Sequence, residues 1–110
     1  MAETFKNASL VDVDNSSADT LYTAPASTTS IVLGVAIANK SANNVGITLS
    51  FTDTSASTTT EMIPTVSIPG NTTLEVLAGQ KYILETGDSM TALADTATSI
   101  DITMGVLELS

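Results

Sequence analysis

Short runs of alternating apolar and polar residues constrain the fold of this sequence more than any other feature. The clearest run is residues 45–52, whose odd-numbered positions are all apolar: Val45, Ile47, Leu49 and Phe51. A strand with this two-residue period buries one face and exposes the other. No stretch of about ten residues shows the 3.6-residue period of an amphipathic helix. The pattern therefore predicts an all-β protein.

Turn-forming residues divide the chain into strand-like runs at the spacing of a sandwich or barrel. Thr and Val favour strands, whereas Gly, Pro, Asn, Asp and Ser favour turns. The predicted runs are residues 4–13, 20–23, 30–39, 45–52, 58–63, 65–68, 72–77, 81–84, 89–94 and 99–109, with a turn at residues 78–80. We predict one domain over residues 1–110, folded as an antiparallel, jelly-roll-like β-sandwich of about eight strands.

The run at residues 30–39 is nearly continuous in apolar character, which is typical of a central strand covered on both faces. Gly34 lies inside this run, where the missing side chain favours a bulge or the close approach of a neighbour. We expect this strand to lie in the middle of a sheet.

Two other segments are expected at the periphery. Pro64 and Pro69 bracket residues 65–68, and because proline cannot donate to a ladder, this strand belongs at an edge or is broken by a bulge. Residues 1–10 could form an extended arm or a swapped strand. Edges and arms are places where a backbone can pair with a neighbour.

Composition excludes several classes of function. The chain has 12 acidic residues, three Lys, no Arg and a net charge of −9, so no nucleic-acid partner is expected. It has no His and no Cys, which removes the commonest catalytic bases, thiol nucleophiles and zinc ligands. We therefore expect neither an enzyme nor a cofactor.

No targeting segment is visible in the sequence. The first residues lack the basic and apolar regions of a secretory signal, and the longest apolar run has about eight residues, far below the ~20 that span a bilayer. We expect a chain made in the cytoplasm with no membrane partner.

An acidic segment near the start offers a weak calcium candidate. Asp12, Asp14 and Asp19 place three carboxylates within eight positions, and oxygen ligands of this kind suit Ca²⁺. The EF-hand pattern fails, however, because Ser17 stands where that loop requires glycine. Ordinary turn chemistry explains the same residues, and no metal is predicted.

Residues 87–89 read Gly-Asp-Ser, as in the nucleophile block of some serine esterases. A serine nucleophile needs a base to take its proton, and the chain has no histidine. A Gly-Asp turn between two strands accounts for these letters, so no catalytic residue is predicted.

The many hydroxyls and few charges favour a protein that acts by association. Only 14% of the residues are charged, and a surface of that kind is prone to association. Thr and Ser on the wet strand faces can hydrogen-bond a partner without a large charge-desolvation cost; a merely solvated Thr face fits equally well.

Several motifs resemble small structural proteins of tailed bacteriophages. They occupy residues 5–7, 20–26, 28–34, 37–39, 68–71, 84–90 and 106–109, and so extend over the whole chain. The resemblance implies a non-enzymatic virion component with a β-sandwich fold. Such proteins decorate or cement capsids, often as trimers, or belong to necks, tails and fibres.

The primary hypothesis is a capsid decoration (cement) protein that self-associates and clamps major capsid subunits. A neck, tail or fibre component is the alternative within this class, and a carbohydrate- or calcium-binding attachment module is the alternative from another class. The expected location is the virion. The predicted contact residues are Phe5, Leu10, Pro64, Val66, Ile68 and Pro69.

Overall fold

The computed structural model describes residues 2–76 and 81–110, and in these ranges the regular structure consists of nine β-strands. The strands are β1 Glu3–Leu10, β2 Asp19–Thr23, β3 Thr29–Asn39, β4 Val45–Asp53, β5 Thr58–Ile68, β6 Thr72–Glu75, β7 Tyr82–Leu84, β8 Ser89–Ala94 and β9 Ile100–Leu109. Within these ranges no helix is long and apolar enough to cross a membrane.

The strands form two antiparallel sheets. The first sheet has the order β1-β9-β3-β6, with β7 also paired to β3, and the second has the order β2-β8-β4-β5. The pairs are nested: β1 lies beside β9, β2 beside β8, β3 beside β6 and β7, and β4 beside β5. This nested pairing of antiparallel strands in two sheets is the arrangement of a jelly roll. It confirms the predicted fold class.

Strands β6 and β7 pair with different parts of β3. Strand β6 lies beside Ala36–Asn39, and β7 lies beside residues 30–32. The predicted end of the sixth strand at Leu77 and the predicted turn at residues 78–80 lie outside the described residues.

The core fills the space between the sheets. In β9, residues 100, 102, 104, 106 and 108 are buried and the intervening residues are more exposed, as the two-residue period requires. The largest fully buried side chains include Ile37, Ile47, Leu49, Met90, Ile102 and Met104. The predicted inward side of residues 45–52 is confirmed for Val45, Ile47 and Leu49, which are at most 1% exposed.

Three of the predicted runs differ from the structure by more than a residue at an end. The first strand ends at Leu10, not Val13, because Asp12 adopts a positive φ of 56° and turns the chain into the core at Val13. The separate runs 58–63 and 65–68 form a single strand, β5, that passes through Pro64.

Strand β5 accommodates Pro64 because it lies at an edge and is bulged. It pairs only with β4, and the register shifts twice, once on each side of the Leu49–Ile63 pair. Thr65 has a positive φ of 46°. Both consequences expected of this proline segment are therefore present. The bulge expected at Gly34 is also confirmed, between the Val32 and Gly34 pairs of β3 and β9.

The loops at one end of the sandwich pack closely through a glycine. Asn71 donates its backbone N–H to the Ser41 carbonyl over 2.9 Å, which joins the β5–β6 turn to the β3–β4 loop. A Cβ at Gly70 would lie 2.5 Å from the Ala42 carbonyl carbon and oxygen. Backbone atoms cannot move aside as a flexible side chain would, so this position requires glycine.

We expect Gly70→Ala to lower the free energy of unfolding by about 1–3 kcal/mol, the usual cost of forcing an extra methyl group into a packed site. Gly105→Ala is the matched control, because a Cβ there meets nothing within 4 Å. Urea unfolding of both variants measures the difference. Equal midpoints for the two variants would contradict the packing described for Gly70.

Candidate functional site

The outer face of the first sheet carries a row of large apolar side chains, which we call the apolar row. It consists of Phe5, Leu107, Ile31 and Ile83, one residue from each of β1, β9, β3 and β7. Phe5 is paired with Leu107, Leu107 with Ile31, and Ile31 with Ile83. Directly opposed residues have Cβ atoms about 4.5–5.5 Å apart, so the row runs without a gap across the sheet.

The two ends of the apolar row are open to solvent, and its middle residues, Ile31 and Leu107, are half-buried. Phe5 is 75% exposed and Ile83 is 51% exposed, and Leu33, in the β3 bulge, is 39% exposed. Exposed apolar area costs about 25 cal/mol per Å² relative to burial. A contiguous patch of this kind marks an interaction surface more often than scattered exposed residues do.

Bare backbone borders the apolar row on one side. Gly34 and Gly105 oppose each other in the β3–β9 ladder; the space above Gly105 is empty to at least 4 Å, whereas a Cβ at Gly34 would lie 3.5 Å from the Glu75 carboxylate. The row therefore lies beside Gly105, where no side chain projects from the sheet. This leaves space on the outer face that a side chain of a partner could occupy.

The outer face of the second sheet has the opposite character. Its side chains are mostly hydroxyls: Thr20, Thr23, Thr48, Ser50, Thr52, Thr59, Ser67, Ser89 and Thr91. Thr48 and Thr65 join their hydroxyls over 3.1 Å across two strands. Leu93 is the apolar exception on this face. The two surfaces of the sandwich are thus chemically distinct.

A shallow depression of about 340 Å³ lies on this second face beside the β5 bulge. Its lining combines Leu93 and Gly46 with Asn15, Thr48, Thr65, Ala94 and Asp95. The Asp95 side chain already accepts a hydrogen bond from the Thr96 hydroxyl over 3.0 Å. The depression is open and mixed in character, which suits a solvated surface.

The predicted contact residues fall into two separate regions. Phe5 belongs to the apolar row, and Leu10, at the other end of β1, is partly buried against the core. On the opposite sheet, Pro64 and Val66 are exposed in β5, and Pro69 is exposed directly after its end.

Ile68 differs from the expectation of a contact residue. It is 2% exposed and belongs to the core opposite Val45. A side chain buried in this way stabilises the end of β5 and leaves no surface for a partner.

The three acidic candidates near the start serve local structure. Asp12 forms an ion pair with Lys40, which also lies 3.0 Å from Asp101. The Asp14 carboxylate accepts hydrogen bonds from the backbone and side chain of Ser16. Asp19 accepts the Asp14 N–H over 2.9 Å.

The pKa values in this segment agree with those contacts. The pKa of Asp14 is lowered, chiefly by the Ser16 N–H, and that of Lys40 is raised by its bonds to Asp12 and Asp101. The carboxylates point to different protein partners, and no cluster of three or more metal-ligating side chains occurs within residues 2–76 and 81–110.

The Gly-Asp-Ser segment is a structural turn. Asp88 is 2% exposed, and its carboxylate accepts the N–H groups of Thr54 at 3.1 Å and Glu85 at 3.0 Å. Gly87 adopts a positive φ of 86°, which glycine tolerates best. Asp88 thus joins the β4–β5 and β7–β8 loops at one end of the sandwich.

A buried carboxylate ties the two sheets together. Glu108 is 8% exposed on the inner side of β9 and accepts a hydrogen bond from the Tyr22 hydroxyl of the second sheet. The same hydroxyl lies 2.7 Å from Ser30 Oγ, and Lys6 Nζ lies 3.4 Å from the second carboxylate oxygen. Tyr22 and Lys6 hold Glu108 in its charged form, and Ser30 contacts the Tyr22 hydroxyl.

Burial, and then the bond to Glu108, raises the pKa of Tyr22 to about 12, so the phenol remains a donor at neutral pH. The Tyr22 bond and then Lys6 lower the pKa of Glu108. Neither Tyr22 nor Glu108 titrates near neutral pH. The hydrogen bond between them therefore persists there and stabilises the folded domain.

Comparisons with known proteins identify a fold and no family. No family model matches the chain, and no curated protein matches it. A solved structure from Bacillus endospore appendages, a novel family of disulfide-linked pili, has a TM-score of 0.55 at 11% identity and covers 98% of this chain and 88% of that one. A chain of the T13 viral particle of IBDV has a TM-score of 0.52 at 10% identity and covers 96% of this chain and 30% of that one.

At these identities the likeness concerns the fold alone. This chain corresponds to less than a third of the length of the viral chain. Its surfaces must therefore be interpreted from their own residues.

Sequence reasoning missed the apolar row. Residues 106–109 read Val-Leu-Glu-Leu, with apolar residues on both faces of the strand. The structure turns Glu108 inward and Leu107 outward. The signal was the pair of apolar residues at positions 107 and 109 beside the acidic Glu108. Only the strand pairing shows that Leu107, Ile31 and Phe5 meet.

We expect Glu108→Gln to be most destabilising near neutral pH. The pKa of Glu108 is lowered in the folded state, so the carboxylate stabilises the fold above its ordinary pKa of 4.5, and this contribution is lost as the pH falls. The gap in free energy of unfolding between the wild type and Glu108→Gln should therefore shrink from neutral pH toward about pH 3. Glu61→Gln, at an exposed position of β5, is the control. A gap that is constant with pH would contradict this assignment.

Proposed function

We propose that this chain is a non-enzymatic structural subunit of a virion, and more specifically a capsid decoration protein of a tailed bacteriophage. The observation that carries the proposal is the apolar row, a band of four large side chains across the outer face of the first sheet that is exposed at both ends and half-buried in the middle. A surface of this kind lowers its free energy when another protein covers it.

The chemistry of the chain supports association over catalysis. It has no His and no Cys to serve as base or nucleophile. The buried carboxylates Asp88 and Glu108 are engaged by backbone N–H groups, by Tyr22 and by Lys6. Groups held in this way are suited to building a scaffold.

Such a subunit acts by making the assembled shell more stable. A protein that binds the assembled shell, and not its free subunits, stabilises the shell by mass action. Contact across the boundary between two capsid subunits then resists their separation by internal genome pressure. The major capsid protein is the partner that this proposal requires, and self-association brings several such contacts together.

The neck, tail or fibre is the alternative position within the same class. The same apolar row would serve there against a different partner. Hundreds of copies per particle indicate a shell, and about a dozen indicate a tail. Imaging the chain in intact particles decides between these positions.

The fold comparison is compatible with this class and does not select it. The similar chains come from a pilus and a viral particle. A shared fold hosts many functions, so the apolar row remains the argument.

We expect Leu107→Thr to weaken binding to empty shells of the same virion about tenfold. Replacing two buried carbon groups by a smaller polar side chain costs about 1.4 kcal/mol in a covered interface. Leu93→Thr is the matched control, because Leu93 also stands on the outer face of an interior strand, but in the opposite sheet. Co-sedimentation measures binding, and the temperature of shell rupture measures stabilisation.

Urea unfolding of both variants checks that the domain remains folded. Loss of binding in Leu93→Thr with normal binding in Leu107→Thr would assign the contact to the hydroxyl face. Normal binding in both variants would overturn the role of the apolar row.

A further inference from the structure

Among the edge strands that the structure describes in residues 2–76 and 81–110, β1 offers the longest uninterrupted edge. Strand β5 is interrupted by Pro64 and two register shifts, and β2 is short and bulged between Thr20 and Tyr22. Strands β6 and β7 contain four and three residues. Short length, bulges, proline and charged side chains are the usual means of protecting an edge. Strand β1 lacks the first three, since its eight residues pair with β9 in unbroken register, and the charge of its Lys6 is paired with Glu108.

The ladder shows which backbone groups of β1 are free. Ala2 and Ser110 exchange two hydrogen bonds, of 2.8 and 2.9 Å. Bonded and non-bonded pairs alternate along an antiparallel ladder, so the even-numbered residues of β1 direct their N–H and C=O groups toward β9. The odd-numbered residues Glu3, Phe5, Asn7 and Ser9 direct theirs toward the open edge.

We propose that the open edge of β1 binds the β1 strand of a second copy of this chain, antiparallel and about a two-fold axis at Phe5. The proposal rests on the self-association included in the proposed function and specifies its geometry. Each copy offers the same row of free donors and acceptors, which is the condition for a self-complementary contact.

Charge and side-chain pairing select Phe5 as the axis. An axis at Glu3 or at Lys6 would place like charges directly opposite each other, which destabilises a strand pair. An axis at Phe5 places the two phenyl rings together and sets Glu3 opposite Asn7 of the second copy. An axis at Asn7 would instead set each ring opposite a serine and forgo the aromatic pair.

The Phe5 axis also makes the apolar row continuous. Phe5 ends the row at the sheet edge and is 75% exposed. Joining two copies there gives one sheet with a single row of eight apolar side chains. The most exposed residue of the patch becomes its centre, where interface energy is usually concentrated.

Cysteine substitutions test the register directly, because the chain contains no cysteine. We expect a mixture of Glu3→Cys and Asn7→Cys chains to form a disulfide-linked heterodimer under mild oxidation, since opposed residues of a bonded pair have Cα atoms about 5.5 Å apart. Neither variant should link to itself, because like residues then lie four positions apart, about 13 Å. The heterodimer should exceed either homodimer at least tenfold.

No heterodimer in the mixture would overturn the proposal. A dominant Asn7→Cys homodimer would overturn it as well, because that product places the axis at Asn7. Both variants retain Phe5, so the anchor of the proposed contact is intact in the experiment.

Asn7→Pro provides an independent test in the otherwise unmodified chain. The Asn7 N–H faces the open edge, so proline there blocks a second copy and spares the β1–β9 bonds. We expect Asn7→Pro to be a monomer by light scattering at concentrations where the wild type and the control Asn7→Thr are dimers. A dimeric Asn7→Pro protein would contradict the proposal.

Hydrogen exchange of the wild type removes any dependence on variant folding. Raising the protein concentration should slow exchange at the Phe5 and Asn7 amides, whereas the Thr4 and Lys6 amides are already bonded to β9. Unchanged exchange at Phe5 and Asn7 would overturn the proposal.

These outcomes are separable from those of the proposed function. A chain that binds shells through Leu107 and stays monomeric would overturn the β1 contact alone. A β1 dimer without affinity for shells would overturn the decoration role alone. A trimer, which the resemblance to phage proteins implies, is incompatible with two-fold β1 pairing as the sole contact, so a mass of three copies would also overturn it.

Discussion

The ladder between β3 and β9 is the interaction on which the rest of the structure depends. It pairs residues from Thr29 to Asn39 with residues from Leu109 to Ile100, and so joins parts of the chain that are about 70 positions apart. Its inner side supplies Val35, Ile37, Ile102 and Met104 to the core. Because β9 also pairs with β1, and β3 with β6 and β7, the ladder fixes the position of every other strand in the first sheet.

The two sheets are then held together by more than apolar packing. At one end, Tyr22 of the second sheet bonds Ser30 and Glu108 of the first. At the other end, buried Asn39 donates to the carbonyls of Asn43 and Ile68, both at 2.8 Å. Paired polar groups of this kind penalise any misalignment of the sheets, because a shift leaves them buried and unsatisfied. These hydrogen bonds thereby fix the alignment of the two sheets more closely than apolar packing alone would.

Much of the fold follows from local sequence, whereas the candidate site does not. The inward side of Val45, Ile47 and Leu49 follows from strict alternation, and the edge position of β5 follows from the inability of Pro64 to donate. The end of β1 could not be predicted in this way, because the positive φ of Asp12 depends on its bonds to Lys40 and Asp101, which lie far along the chain. The same limit hid the apolar row. Phe5, Ile31, Ile83 and Leu107 come from four strands, and their proximity is a property of register between strands that no single strand encodes.

The orientations of Leu107 and Glu108 connect the core with the surface. Glu108 occupies an inward position that an apolar residue would normally fill, and it is retained there by Tyr22 and Lys6. Since neighbouring residues point to opposite faces, anchoring Glu108 inward obliges Leu107 to face outward. Leu107 then stands between Phe5 and Ile31 and completes the row. The inward position of Glu108 and the outward position of Leu107 therefore both follow from the register of β9. The bonds of Glu108 to Tyr22 and Lys6 inside the domain thus maintain the apolar row on its surface, which costs free energy in an isolated domain. The opposite face consists mostly of Thr and Ser hydroxyls, so the two outer faces of the sandwich present chemically different surfaces to solvent.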